Sequence, residues 1–565
     1  MATKTSDVVD VERYRDLLRR CAVSRDSRRA SAQTLRQWYE RGTETGVDAR
    51  YNKLRSHLDR LASYLWAPEA VRFAIHLPPS SRADWLPAAQ TARDEFRDLW
   101  ATTGADLTVS MALEWALVYN TGVIKVQGDP QHGFVLGYID SWDFGVTRED
   151  QQLDDQDVMA HYYTLSLPQF ERWAQGHPRR EDLLTIAREH ASAPSGGTSM
   201  LPRLVVTGVT GVFPNSDISA SFPGDPIEPA ESLDPQVIEP VVQLVDLWER
   251  TVYHDDPFSD DYEDWRVTTL VGEADQWLVT RRNPVLPRVR LGPNAVLSAD
   301  QPFTLLTPRP MPNYLWGRSE MAGGIKLQQW REDHMRAIGD AVNKQLDPPK
   351  FFTDVGDWEE GGRAMNTPGG SYGSPNPGAR MTPLQVQVPP EAFGLTDRID
   401  HMFEDQSGIP SVLQGEGQPG VRASNQLVAL AGIGAGRVRH MALRLEAALG
   451  RIATLGFSIL QRTDGQGYPL KDGNKFLLAQ LPPGLSLSVS AHSASPIFAE
   501  QVQAKALQLL KAGAIDGPWL VELLDPPYRE ELKVVAEALA KAKAEQTEKL
   551  MQLQAAKYAR TGRVK

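Results

Sequence analysis

The chain has 565 residues, 41% apolar and 23% charged, with 14 tryptophans. That is ample for packed cores and excludes wholesale disorder. Sixty Lys and Arg against 72 Asp and Glu leave a net charge of −12, which excludes a generally basic, sequence-reading DNA binder, and the single cysteine, Cys21, excludes a disulfide framework, thiolate zinc sites and iron–sulfur ligation.

At about 150 residues per domain the length predicts three or four folding units. The amino terminus shows no apolar leader core, and no stretch approaches about 18 uninterrupted apolar residues, so a soluble protein of a reducing compartment is expected. Residues 1–78 read as helical. Leu54, Leu58, Leu61 and Leu65 recur on one helical face, and Pro68 falls just past its end. A further helical pattern covers Pro87 to Val118, with Pro87 suited to a first turn and Gly104 marking a break. From Val123 to Val146 the pattern becomes short β-rich runs divided by Gly and Asp-Pro. Leu204–Val212, Val241–Tyr253, Trp265–Leu270 and Trp277–Arg281 are further strand candidates, so the first half reads as a mixed α+β domain of about 310 residues.

The second half is built differently. Ser319–Leu346 reads as a long helix, with Ser319 as N-cap and Pro348-Pro349 as its stop. A Gly/Pro/Ser-rich segment follows, including Asn366–Gly378, and closes on an alternating strand, Leu384–Val388. Glu391–Gln406 is again helical, with Ala392, Leu395, Ile399, Met402 and Phe403 on one stripe and Asp397, Asp400 and Glu404 on another. Ser407–Asn425 is a Gly/Pro-punctuated loop. The pattern Gln426–Arg462 is a very long helix with Gly432, Gly434 and Gly436 inside it, where a kink or close packing is expected. After strand-like Lys475–Val489, helices are predicted over Pro496–Ala512, Pro518–Leu524 and Tyr528–Tyr558.

The excess acid is local. Between Asp217 and Asp264 fourteen acids face Arg250 alone, and the first half of that stretch reads as a surface loop. The last 17 residues, from Lys549, carry five basic residues and no acid, which fits either a contact with a polyanion or a solvated, frayed helix end.

Three motifs imitate chemistry without its context. Gly369-Gly-Ser-Tyr-Gly373 matches a nucleophile elbow at Ser371, but Thr-Pro and Ser-Pro-Asn-Pro flank it instead of a strand and a helix. Gly432-Ile-Gly-Ala-Gly436 imitates a dinucleotide fingerprint inside a helical pattern, with no acid-ended strand beyond it. The acidic run after His254 lacks the spaced ligand register of a calcium loop, and no phosphate-cradling G-x-x-x-x-G-K-[ST] exists. No catalytic residue, metal site or cofactor is expected, and the chain reads as non-enzymatic.

A long helix, an irregular insert, a shorter acidic helix, a Gly-rich loop and a very long helix form an unusual series. With Leu315-Trp-Gly-Arg-Ser-Glu320 before the first helix and Gly408-Ile-Pro-Ser-Val-Leu-Gln-Gly415 in the loop, it resembles the portal proteins of tailed bacteriophages over residues 240–530. Tyr51-Asn-Lys-Leu54 and Leu509-Leu-Lys-Ala-Gly-Ala-Ile-Asp516 also look like that family. The resemblance implies an α+β subunit. Its wing would be 1–314, a first stem helix 315–346, a clip 347–390, a second stem helix 391–406 and a tunnel loop 407–425. A long kinked helix returning to the wing would cover 426–495, and a helical crown with a basic tail 496–565. The acidic stretch is longer than that plan requires, and the clip is unusually rich in Gly and Pro.

The function so implied is a head-to-tail connector of the virion, a ring of usually twelve copies at one capsid vertex, assembled in the host cytoplasm. Double-stranded DNA would pass through it without sequence specificity during packaging and ejection. Its partners would be the terminase large subunit, head–tail adaptor proteins, and the major capsid and scaffolding proteins, with no membrane. Asp397, Asp400 and Glu404 would line the channel, unless they are only a solvated helix face. Gly415, Gly417, Gly420, Arg422 and Asn425 would form the moving loop around DNA, unless Arg422 serves an intersubunit salt bridge. The alternatives are a scaffold or baseplate-like virion component without a channel, and a hydrolase using Ser371.

Overall fold

A computed structural model of the chain describes residues 11–23, 25–40, 52–66, 71–78, 82–130, 132–191, 240–254, 261–272, 276–290, 296–346, 350–353, 359, 378, 380–383, 389–407, 436–470, 473–482, 485–489, 505–524 and 529–561. Of these, 54% are helical and 23% lie in strands, so the chain is of mixed helix and strand.

Helices α1 (Val11–Ala22), α2 (Arg25–Glu40) and α3 (Lys53–Leu65) open the chain. Leu54, Leu58, Leu61 and Leu65 are all buried, as their spacing predicts. After β1 (Phe73–His76) comes α4 (Arg82–Thr102), which begins five residues before Pro87. Pro87 thus stands in the second turn and not the first. Asp84 stands in the first turn, where an acid is favourable. Gly104, at φ 66°, divides it from α5 (Ala105–Val118).

Two sheets follow. Strands β2 (Gly122–Asp129) and β3 (Gly133–Ile139) form the expected hairpin. A meander then runs through β4 (Phe144–Val146), β5 (Val158–Ser166), β6 (Val241–Tyr253), β7 (Tyr262–Val271) and β8 (Gln276–Arg282). All neighbouring strands in it are antiparallel. Helices α6 (Leu167–Trp173), opened by a Ser166–Gln169 capping box, and α7 (Arg180–His190) lie between β5 and β6. The candidate strand 204–212 lies outside the described residues. Short β9 (Val289–Arg290) and β10 (Val296–Leu297) pair with each other, and β11 (Phe303–Leu306) joins β2. Three acids of the charged stretch are internal: Glu249 binds Arg13 and Arg266, Asp264 takes Arg282 Nε at 3.0 Å, and Asp246 is buried between strands.

The second half begins with α8 (Ile325–Leu346), six residues later than the predicted Ser319 start. Ser319 is no N-cap: its hydroxyl accepts from the amides of Met321 and Ala322 and donates to Val118 O at 2.5 Å, closing a turn ahead of the helix. β12 (Lys350–Thr353) and β13 (Arg380–Pro383) pair antiparallel, while the predicted strand 384–388 lies outside the described residues. Helix α9 (Pro390–Ser407) and helix α10 (Gly436–Thr463) follow. Gly432 and Gly434 are outside the described residues, and from Gly436 α10 is uninterrupted for 28 residues.

Beyond α10, β14 (Gly467–Pro469) pairs with β15 (Lys475–Leu477), and β16 (Ser486–Val489) pairs with β1. Residues 505–511 are helical and precede α11 (Gly517–Leu524) and α12 (Arg529–Thr561). The main core gathers α2 to α5, both hairpin strands, α10 and β16, with Leu449, Ile452 and Ala453 of α10 fully buried. A Cβ on Gly456 would stand 3.2 Å from the ring of Phe134, so this glycine lets α10 lie close on the hairpin.

Candidate functional site

Two of the motifs, Asn52–Leu54 and Leu315–Glu320, lie where α8 and α9 meet the body, whereas 408–415 is outside the described residues. Asn52 caps α3 by accepting from Arg55 N at 3.1 Å, and its Nδ2 donates to Trp38 O at 2.7 Å, fastening the end of α2. Next to it, Lys53 Nζ lies 3.0 Å from Asp400 Oδ1, and its backbone amide donates to Gln328 Oε1 at 3.2 Å. Leu54 packs beneath Gly324, where a Cβ would come within 2.3 Å of Leu54 Cδ2. Each residue of Asn-Lys-Leu therefore ties α3 to a different partner.

The segment Leu315–Glu320 is a strap between α5 and α8. Trp316 is fully buried and donates Nε1–H to Glu149 Oε1 at 2.7 Å. Arg28 stacks its guanidinium 4.1 Å over the same indole and binds Glu149. A Cβ on Gly317 would collide with Thr307 and with Arg309 O at 2.4 and 2.5 Å. Glu320, 2% exposed at its side chain, pairs with Arg309 Nε at 2.9 Å. In the third motif, Gly513 takes φ 70° and ends the helix at 505–511, and Asp516 accepts from Trp519 N at 3.1 Å to start α11.

Helices α8 and α9 are antiparallel, since Arg331 meets Asp400 while His334, further along α8, meets Ala392 O at 2.7 Å. Gln328 is 1% exposed and donates to Glu332 at 2.8 Å. Ile399 and Phe403 of α9 are buried in the main core with Leu54 and Met321, and Leu395 packs beside them. The predicted apolar stripe of α9 is thus mostly real, but one member, Met402, is 37% exposed; Phe393 of α9 at 53%, and Trp330 at 44%, Met335 at 45% and Leu346 at 80% on α8, are exposed as well.

The acidic stripe divides. Asp400 turns inward, where one oxygen receives both Lys53 Nζ and Arg331 Nε at 3.0 Å, and its side chain is 30% exposed. Asp397 is exposed, with Arg398 and His401 exposed on the same helix. Glu404 lies in α9, with its side chain outside the description. Gly415, Gly417, Gly420, Arg422 and Asn425 lie outside the described residues, as does Ser371. The Lys53–Asp400–Arg331 bridge escaped sequence reading, because its members come from three distant helices. Lys53 lies in the motif Tyr51–Leu54 and Asp400 in the acidic stripe, the two signals the sequence offers.

No family model matches this chain, and no curated protein matches it. Among the described residues no cluster of three or more His, Cys, Asp or Glu is placed to hold a metal ion, and no helix is long and apolar enough to cross a membrane. Burial pushes the Cys21 thiol up to about 12, which makes it a weak nucleophile at neutral pH. Burial, helped by Asp140, pushes the Asp143 carboxyl up to about 8, against the opposing effect of Arg25. A cavity of about 170 Å³ beside α2 is lined by Ser27, Ser31, Ser141, Asn120, Tyr119 and Tyr314. Arg28 adds a guanidinium to its hydroxyl-rich wall.

Proposed function

We propose that this chain is a non-enzymatic subunit of a phage portal ring, a conduit for double-stranded DNA at a capsid vertex. The observation that carries the reading is the helix–hairpin–helix excursion of α8, β12–β13 and α9. Helix α8 has 22 residues, about 33 Å, and α9 has 18, about 27 Å. Among their described side chains few are buried: Gln328 and Ile338 on α8, Ile399 and Phe403 on α9. Such a pair leaves large apolar side chains, Trp330, Met335 and Phe393, in water when the chain is alone. An exposed apolar set on paired helices calls for a protein neighbour, and identical copies side by side in a closed ring supply one to every subunit.

A conduit must not grip a polyanion. With Asp400 engaged in the joint, the negative lining of the bore rests on Asp397 and Glu404, repeated in each copy. Their field discourages adhesion at short range, since salt screens it beyond about 8 Å. The glycines 415, 417 and 420 with Arg422 would provide transient, sequence-independent contact with phosphates. Docking of a terminase motor and of head–tail adaptors would fall to the clip that carries β12–β13. In negative stain the purified protein should form particles with a central hole and a mass of about 750 kDa, twelve times the 62.6 kDa chain. Ser371→Ala should alter no chemistry. A discrete monomer with an esterase activity lost in Ser371→Ala would replace this reading.

A further inference from the structure

One face of the five-stranded sheet carries two separate apolar cores with a polar row between them. Toward one end Phe144, Val146, Met159, Trp248 and Val267 pack with Phe303 and Trp316. Toward the other Tyr163, Leu165, Leu244 and Val271 pack with Phe170, Leu183 and Leu184 of α6 and α7. Strand pairing places Phe144, His161, Asp246, Thr269 and Val279 side by side in one row across β4 to β8. Its middle three residues are polar and buried, at 1%, 6% and 0% exposure.

The surroundings of His161 are those of a group held neutral. Its ring stacks on Tyr163 at 5.1 Å and meets Phe303 edge-on at 6.0 Å, and neither ring nitrogen has a hydrogen-bond partner among the described residues. Asp246 is committed elsewhere, accepting from Thr269 Oγ1 at 2.7 Å and from Tyr163 OH at 3.1 Å. From β2, Lys125 is buried over Phe303, its ammonium 5.7 Å from that ring, and repels a proton on His161. From β8, Arg281 reaches over Trp173 of α6 at 5.8 Å and adds positive charge near Lys125 and Tyr163. From β4, β7 and β11 the facing residues, Phe144, Thr269 and Phe303, do not ionise in this range. Burial first and Lys125 second hold the His161 imidazolium far below its usual range.

We propose that the buried cluster His161, Asp246 and Lys125 is a proton-sensitive seam, along which the three-stranded sheet β11–β2–β3 parts from the five-stranded sheet when the surroundings acidify. The closed form excludes a proton that the open form accepts with the ordinary histidine affinity, near pH 6.5. Below that value each unit of pH multiplies the opening constant by about ten, until the closed form itself protonates. Opening is confined to the elements around the seam, while the main core around α10 stays folded.

Hydrogen exchange read by mass spectrometry on the full chain, from about pH 7.5 to about pH 5, tests this. Opening constants are taken against the intrinsic rate at each pH. Peptides spanning β2, β5, β6 and β11 should open about tenfold more per unit below about pH 6.5, while peptides of α10 stay flat. His161→Phe, which keeps the stacking on Tyr163 and cannot titrate, should abolish that slope. A slope unchanged in His161→Phe, or none in the parent chain, overturns the proposal. Should His161→Phe fail to fold, exchange at the His161 C2–H of the parent decides. Slow exchange without a titration near 6.5 supports the seam, and ordinary fast exchange titrating there refutes it.

Discussion

Asp400→Asn separates two roles for one carboxylate. As a wall of an open channel, Asp400 would face solvent, and neutralising it would leave the fold unchanged. In the structure it joins three helices: Lys53 of α3 and Arg331 of α8 both lie 3.0 Å from the same oxygen, with side-chain exposures of 20% and 14% against 30% for Asp400. Two unit charges about 4 Å apart at the dielectric of a protein margin attract by about 4 kcal/mol before desolvation. Exposed pairs retain about 0–1 kcal/mol of that, whereas removing one partner of a buried pair costs about 3–5 kcal/mol. Half-burial places Asp400→Asn between, at about 1–3 kcal/mol, because the two cations are left facing each other. Hydrogen exchange of peptides from α3, α8 and α9 is the assay, since a chain of this size need not unfold in one step. Added Lys53→Met and Arg331→Met should recover part of the loss, with a coupling of at least about 1 kcal/mol. A change within about 0.3 kcal/mol, uncoupled to Lys53 and Arg331, would refute the joint.

Three further outcomes are expected. Asp143 binds its proton up to about pH 8 in the folded chain, far above the ordinary carboxylate range. The folded state therefore holds a proton that the unfolded chain has released, and this contribution to stability falls as pH rises from about 4 to about 8, by up to about 1.4 kcal/mol per unit. Asp143→Asn should remove that slope in denaturation at stepped pH, and parallel profiles would contradict the assignment. Gly145→Ala forces a Cβ to 2.6 Å from Cys21 O, which should cost about 1–3 kcal/mol; the sensitive readout is faster labelling of the buried Cys21 thiol by a disulfide reagent, and unchanged labelling would count against it. Leu449→Ala on α10, whose side chain is fully buried, should cost about 2–5 kcal/mol in denaturant unfolding; a cost below about 1 kcal/mol would mean α10 is not central to the core.

How far the sequence reaches depends on which contacts make each element. The leucines of α3 were legible because one apolar stripe facing one core leaves a period of 3.6. β5 was not, since Val158–Tyr163 is buried on both faces and shows no alternation. Ser319 reads as a cap, yet its hydroxyl serves a turn bonded to Val118, a partner about two hundred residues away in sequence. The sequence carries no sign that Asp246, Glu249 and Asp264 are internal. Their burial depends on Thr269, Arg266 and Arg282, which come into reach only through strand pairing. The joint at Asp400 escapes for the same reason, whereas the apolar stripe of α9 was readable up to Met402, whose exposure follows from the packing of Ile399 and Phe403 toward α3.

The central claim is a closed circle of copies around a negatively charged hollow, walled by the α8–α9 pairs. An averaged three-dimensional image of the purified particle, viewed down its axis, tests it directly. The account requires a through-hole lined by α8 and α9, with Asp397 toward the opening and Trp330, Met335 and Phe393 covered by the adjacent copy. A particle with no passage, or one whose passage is walled chiefly by lysine and arginine, would contradict it.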